Sequence, residues 1–178
     1  MSELVTQTSI NLAAELVEKV VIEGDLSTLT PAERVNYYRA VCDSVGLNPL
    51  TKPFEYLRLN GKLRLYALKT CTDQLRNIHG ISIELEKPIV EDDLVIVTAV
   101  AKDRSGRGDS DTGAVPINGL RGEAKANAIL KAITKAKRRV TLSMVGLGML
   151  DESEVESIPG AEVVAGGEGV ERGVGKKA

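Results

Sequence analysis

The sequence predicts an α+β fold of one domain, and three stretches carry that reading. "FEYLRLNGKLRLYAL" (54 to 68) alternates on both sides of Asn60-Gly61, a pair that tolerates positive φ and so favours a tight hairpin. "DLVIVTAVAKD" and "GDSDTGAVPI" read as two more strands joined across "RSGR". Residues 120 to 145 read as one long helix, which carries Lys131, Lys135, Lys137, Arg138 and Arg139 with no acid among them. At 178 residues and 43% hydrophobic, the chain is long enough for one buried core. With four Tyr, one Phe and no Trp, that core must rest on Val, Ile, Leu and Ala, so any exposed aromatic is informative.

The elements follow in order. Around residues 9 to 22, Ile10, Leu12, Ala13, Leu16, Val17 and Val20 recur at helical spacing and predict a first helix. "TPAE" opens a second: Thr30 as N-cap, Pro31 at the first helical position and Glu33 closing a capping box. That helix runs through "RVNYYRAVCDSV" and stops at Gly46, which suits a left-handed cap. The two prolines of "LNPLTKP" then turn the chain.

Two registers compete for the hairpin. A two-residue Asn60-Gly61 loop pairs Leu59 with Lys62 and Leu57 with Arg64, mixing apolar and charged groups on one face. A three-residue loop, Leu59-Asn60-Gly61, sets Leu57 beside Leu63 and Tyr56 beside Arg64. Segregation favours the second. It predicts one face of Leu57, Leu63, Leu65 and Ala67 and an outer face of Tyr56, Arg58, Arg64 and Tyr66. A helix from Thr70 to His79 follows, ended by Gly80, and "ISIELE" reads as a third strand. After Pro159 the composition turns to Gly, Glu, Val and Ala without periodicity. The expectation is a single domain over residues 1 to 158 and a disordered tail over 159 to 178.

Charge supplies the functional signal. The formal net charge of -2 hides segregation: residues 121 to 139 hold seven Lys/Arg against Glu123, and residues 52 to 80 hold six against Glu55 and Asp73. The rest of the chain therefore carries a net -12. Such separation predicts a polyanion-binding surface on an acidic body. On the long helix, Ile129, Ile133, Ala136, Val140 and Met144 share one sector, with Lys131, Lys135, Arg138 and Arg139 opposite. Like charges four residues apart repel by a few tenths of a kcal/mol, roughly, and no acid relieves them between Glu123 and Asp151. A phosphate track therefore reads ahead of an ordinary solvated face. The hairpin's outer face adds tyrosine planes and guanidinium groups, the equipment for stacking bases and tracking a backbone without reading sequence; its plain alternative is a wet strand face.

Other chemistry is weaker. Cys42, Cys71 and His79 are too few for a zinc set or a disulfide scaffold. Asp103, Asp109 and Asp111 lack the spacing of a calcium loop and read as hairpin-turn residues, as do Asp92 and Asp93. "GLGML" lacks the Lys of a nucleotide-phosphate loop. No nucleophile, base and orienting group assemble, so the expectation is a non-enzyme without a cofactor. No apolar run approaches the roughly 20 residues of a membrane span and no secretory pattern opens the chain, which predicts a cytoplasmic protein. Three rivals stand beside single-strand binding. A sequence-specific duplex binder would want Asn or Gln amid the cations, and residues 128 to 145 hold neither. A metal-dependent nuclease would use Asp92, Asp93 or the acids of 103 to 111. A scaffold would dock an acidic protein on the basic face.

"GLNPLTKPFEYLRLNGK" (46 to 62), "YALKTCTDQLRNIHGISI" (66 to 83) and "ANAILKAITKAKRRVTLSMVGLGMLDESEVE" (126 to 156) resemble phage single-strand DNA annealing proteins of the RecT, Redβ and Erf kind. The last segment is similar to the Erf-type signature, and the "GLNP…F" opening with its hairpin to RecT and Redβ. Together they cover 66 of the 178 residues. The resemblance implies a small sheet and hairpin packed on a long helix, assembly into rings or filaments, and ATP-independent annealing of complementary strands in homologous recombination. It implies a DNA groove lined by Lys131, Lys135, Lys137, Arg138 and Arg139 with Tyr56, Arg58, Arg64 and Tyr66, extended by Lys69 and Arg76. The implied partners are single-stranded DNA, the annealed duplex intermediate, further copies of the chain, and a phage exonuclease or host single-strand-binding protein. The short Gly-rich tail departs from Redβ-like proteins, where a folded C-terminal domain binds host partners.

Overall fold

The structure is a computed structural model and describes residues 19 to 155 and 158 to 164. Most of the expected first helix lies outside these residues; within them, Lys19–Glu23 makes one wide helical turn. Helix α1 (Pro31–Ser44) begins as its sequence dictates. The Thr30 hydroxyl accepts the Glu33 N–H, and the Glu33 carboxylate accepts the Thr30 N–H at 2.7 Å. Those bonds hold the Glu33 carboxyl below its usual range. After a short turn at Pro49–Thr51 come β1 (Phe54–Leu59) and β2 (Lys62–Ala67), then helix α2 (Lys69–His79), which ends on Gly80 at φ +61°.

The second half builds another sheet. Strands β3 (Ser82–Leu85) and β4 (Ile89–Glu91) pair end to end along one edge of β5 (Leu94–Lys102), and β6 (Gly108–Pro116) runs along the other, all antiparallel. The sequence reading missed β4, whose Pro88 and two-residue turn masked it. Asp92 and Asp93 both take positive φ there, the backbone that a two-residue hairpin turn needs. Helix α3 (Gly122–Met144) lies across this sheet and a single turn, α4 (Glu152–Val155), follows it.

Helix α3 approaches β6 closely because Gly113 leaves room. A Cβ there would overlap the Ala132 carbonyl oxygen and stand 2.6 Å from the Ala136 nitrogen. Ala128, Ala132, Ala136, Val140 and Met144 then bury against Val95, Val97, Ala99 and Ala101. Each buried Val contributes about 1.5 to 3 kcal/mol, and the small residues let helix and sheet touch backbone to backbone. A second core gathers Phe54, Leu63, Leu65, Cys42, Cys71, Leu75 and Leu142 among α1, the hairpin, α2 and the end of α3. The α+β class, the antiparallel pairing and the long basic helix stand as expected, but the hairpin belongs to a separate sheet from the one that α3 covers.

Two expectations are overturned. The hairpin takes the two-residue loop: Leu59 faces Lys62, Leu57 faces Arg64 and Tyr56 faces Leu65. Asn60 at φ +51° and Gly61 at φ +77° make the turn whose twist matches the strands. The segregation argument fails because both faces are covered. Phe54, Leu63, Leu65 and Ala67 bury in the second core, while Leu57 and Tyr66 bury with Val155 on the other side. The first residues of the stretch expected disordered from 159 are instead ordered, Glu162–Val164 adding strand β7 to β1, so that sheet has the order β2-β1-β7. Residues 165 to 178 lie outside the described ones. Among the described residues no helix is long and apolar enough to cross a membrane.

Candidate nucleic-acid interface

The cations of α3 divide into two kinds. Arg138 is 8% exposed and pairs with Glu152 at 3.3 Å and, at 3.9 Å, with Asp151, whose carboxylate is fully buried. Arg139 turns toward β6 and reaches Asp111 at 3.0 Å, with Glu154 on its other nitrogen. The Asp111 hydrogen bond keeps the guanidinium firmly protonated although burial opposes it. Both arginines therefore help to fix α4 and β6 against α3. The expectation that they sit on a bare basic sector is corrected: Arg138 is buried, Arg139 is half-buried, and both are matched by acids, Asp111 on β6 and Asp151, Glu152 and Glu154 after the helix.

Lys131, Lys135 and Lys137 differ. Lys131 is exposed, and Lys135 and Lys137 are half-buried with no carboxylate of the described residues in ion-pair range. Lys135 stands over β6 beside Gly113. Lys131 lines an open groove on the outer side of α3 together with Leu130, Thr134, Arg138, Glu152 and Ser153. Arg121 and Lys125 extend the exposed cations toward the start of the helix.

The hairpin does not supply the expected platform. Tyr56 and Arg58 project from one face and Arg64 and Tyr66 from the other, because residues paired across the strands share a face. Tyr56 is half-buried against Tyr38, and its hydroxyl donates to the Arg34 carbonyl at 3.2 Å. Tyr66 is 3% exposed, and its hydroxyl donates to the Glu55 carboxylate at 3.2 Å. Burial first, and the Glu55 charge second, drives the Tyr66 phenol far above its ordinary pKa. Neither ring offers a free face for a base. Arg58 and Arg64 remain exposed, Arg58 donating to the Gly61 carbonyl at 3.3 Å.

Lys69 and Arg76 share Asp73 on α2, and Arg76 also donates to the Thr141 hydroxyl at 3.4 Å. Burial works against the Asp73 charge, but the two cations outweigh it and hold its carboxyl low. The acids expected in turns are also engaged. Asp103 accepts from Ser105 and Arg107, Asp109 accepts from Ser143 and Ser110, and Asp111 binds Arg139 and the Thr112 N–H. Among the described residues no group of three His, Cys, Asp or Glu is placed to hold a metal ion.

Sequence reasoning missed Thr134 and Ser153, which complete the groove wall with Glu152, one of the acids after Asp151 that the sequence sets against the basic helix. No family model matches the chain, and no curated protein matches it.

Proposed function

We propose that the protein binds single-stranded DNA on α3 and anneals complementary strands without ATP. The observation that carries this reading is the group Lys131, Lys135 and Lys137 on one helix, two of which no described carboxylate neutralises. Neutralising two backbones along one surface removes their repulsion, and base pairing then supplies all the specificity. No base-reading side chain is needed. With Tyr56 and Tyr66 withdrawn into the fold, the contact is electrostatic rather than stacked. The likeness of three segments to phage annealing proteins supports the same function. It further supports assembly into rings or filaments, a cytoplasmic place in recombination, and work beside an exonuclease or a host single-strand-binding protein.

The test is the annealing rate of two dye-labelled complementary oligonucleotides without ATP, for the parent and for Lys135→Glu/Lys137→Glu. Acceleration by the parent, lost in a variant with an unchanged circular-dichroism spectrum, supports the reading. Binding without acceleration reduces the protein to a binding module. No binding leaves the lysines as a protein-docking or solvated surface, and cleavage of labelled DNA on adding magnesium replaces annealing with the nuclease reading.

A further inference from the structure

We propose that the groove between α3 and α4 is a phosphate site, and that the Glu152 carboxylate occupies it as an internal stand-in for the anion. Helix α2 begins after Leu68, which cannot cap it, and the first turn holds no acid. The missing acceptor arrives from 83 residues away: one Glu152 oxygen takes the Lys69 N–H at 3.1 Å and lies 3.3 Å from an Arg138 nitrogen. A helix N-terminus and a guanidinium thus converge on a single anionic oxygen, the arrangement in which proteins hold phosphate.

Three further observations point to a ligand beyond the carboxylate. Arg138 is 8% exposed, yet its Nε is buried without a hydrogen-bond partner, so the guanidinium has unused donor capacity. The groove is open, and Lys131 brings an ammonium to its wall. Glu152 itself keeps 44% of its side chain exposed, whereas its neighbour Asp151 is sealed in the core. The carboxylate can therefore rotate into water while the rest of α4 stays in place. A phosphate group offers more charged oxygens than the carboxylate and engages the Lys69 N–H, Arg138 and Lys131 together.

Occupation by a backbone phosphate of DNA rests on the function proposed above; occupation by inorganic phosphate does not. Two titrations of the full chain separate them: inorganic phosphate followed by calorimetry, and a labelled dT oligonucleotide followed by anisotropy. Glu152→Gln keeps an acceptor for the Lys69 N–H and removes the competing charge. It is expected to tighten phosphate binding on the order of tenfold, the scale of one close opposing charge. Adding Lys131→Gln should reverse the gain, and Lys131→Gln alone, at an exposed position, should weaken binding even if Glu152→Gln disturbs folding. Tightening for both ligands supports a DNA-phosphate site. Tightening for phosphate alone supports the site and overturns its use by DNA. A folded Glu152→Gln protein with unchanged or weaker phosphate binding overturns the proposal, as does an effect on dT alone, which would be remote charge. Lys131→Gln without effect on phosphate overturns it too.

Discussion

The Asp151 carboxylate, shut off from solvent, stands 3.9 Å from the Arg138 guanidinium at the junction of α3 and α4. The same Asp151 accepts the Ser153 N–H and hydroxyl, and the Leu150 carbonyl before it accepts the Ala67 N–H at 2.9 Å. Arg138 is thus also part of the clasp between the long helix and the hairpin sheet.

Arg138→Leu should therefore act on stability before it acts on DNA. Removing the cation leaves Asp151 buried and uncompensated, a change that costs about 3 to 5 kcal/mol. Urea unfolding monitored by circular dichroism should show the loss. Adding Asp151→Asn should recover part of it, a coupling of about 1 to 3 kcal/mol, because the two groups share one interaction. A midpoint for Arg138→Leu equal to that of the parent would place Arg138 back among the surface cations.

Gly113→Ala tests the packing of α3. The new methyl meets the Ala132 carbonyl and the Ala136 nitrogen, both backbone atoms that cannot swing aside. Overpacking of this kind costs about 1 to 3 kcal/mol or more. Gly148→Ala is the control, since its Cβ would meet nothing within 4 Å and its φ is not left-handed. The expected result is a large fall in thermal midpoint for the first and almost none for the second.

How far the sequence could be read depended on whether the deciding physics was local. The Thr30 capping box and the Gly80 cap rest on residues within one turn of each other and formed as expected, whereas the α3 stripe kept Ala136, Val140 and Met144 but buried Ala128 and Ala132 in place of Ile129 and Ile133. The hairpin register could not be settled locally. It depends on Val155, about 90 residues away, covering the face that Leu57 and Tyr66 share. The basic cluster misled for the same reason: helical spacing shows that Arg138 and Arg139 are cationic, but not that Asp111, Asp151, Glu152 and Glu154 fold back onto them.

The two thiols give a pH prediction. Burial, with the nearby Cys42 as a smaller cause, pushes the Cys71 thiol up to about 12, and Cys42 is raised by burial too. A thiol raised in the fold ionises first in the unfolded chain, so its contribution is intact below the ordinary value near 8.5 and is lost as pH rises toward 12. Tyr66, also raised, adds a loss beginning near pH 10. The urea midpoint should fall steadily from pH 8 to 10.5, and Cys71→Ala should flatten that slope. At pH 8 neither Cys42 nor Cys71 should react with a disulfide reagent until denaturant is added, since both are fully buried.

The salt dependence of single-strand binding can apportion the surface cations. For single strands the logarithm of the binding constant falls with the logarithm of salt concentration by about 0.7 for each phosphate neutralised. If Lys135 and Lys137 each meet a phosphate, Lys135→Gln and Lys137→Gln should each lower the slope by about 0.7, and the pair by about 1.4. Tyr56→Phe should leave the slope unchanged, because its hydroxyl is spent on the Arg34 carbonyl and its ring packs on Tyr38. Anisotropy titrations of a dT oligonucleotide at four salt concentrations measure all of these. A slope that the lysine variants do not move would take DNA off α3, and a weaker Tyr56→Phe complex at every salt concentration would return the hairpin to the interface.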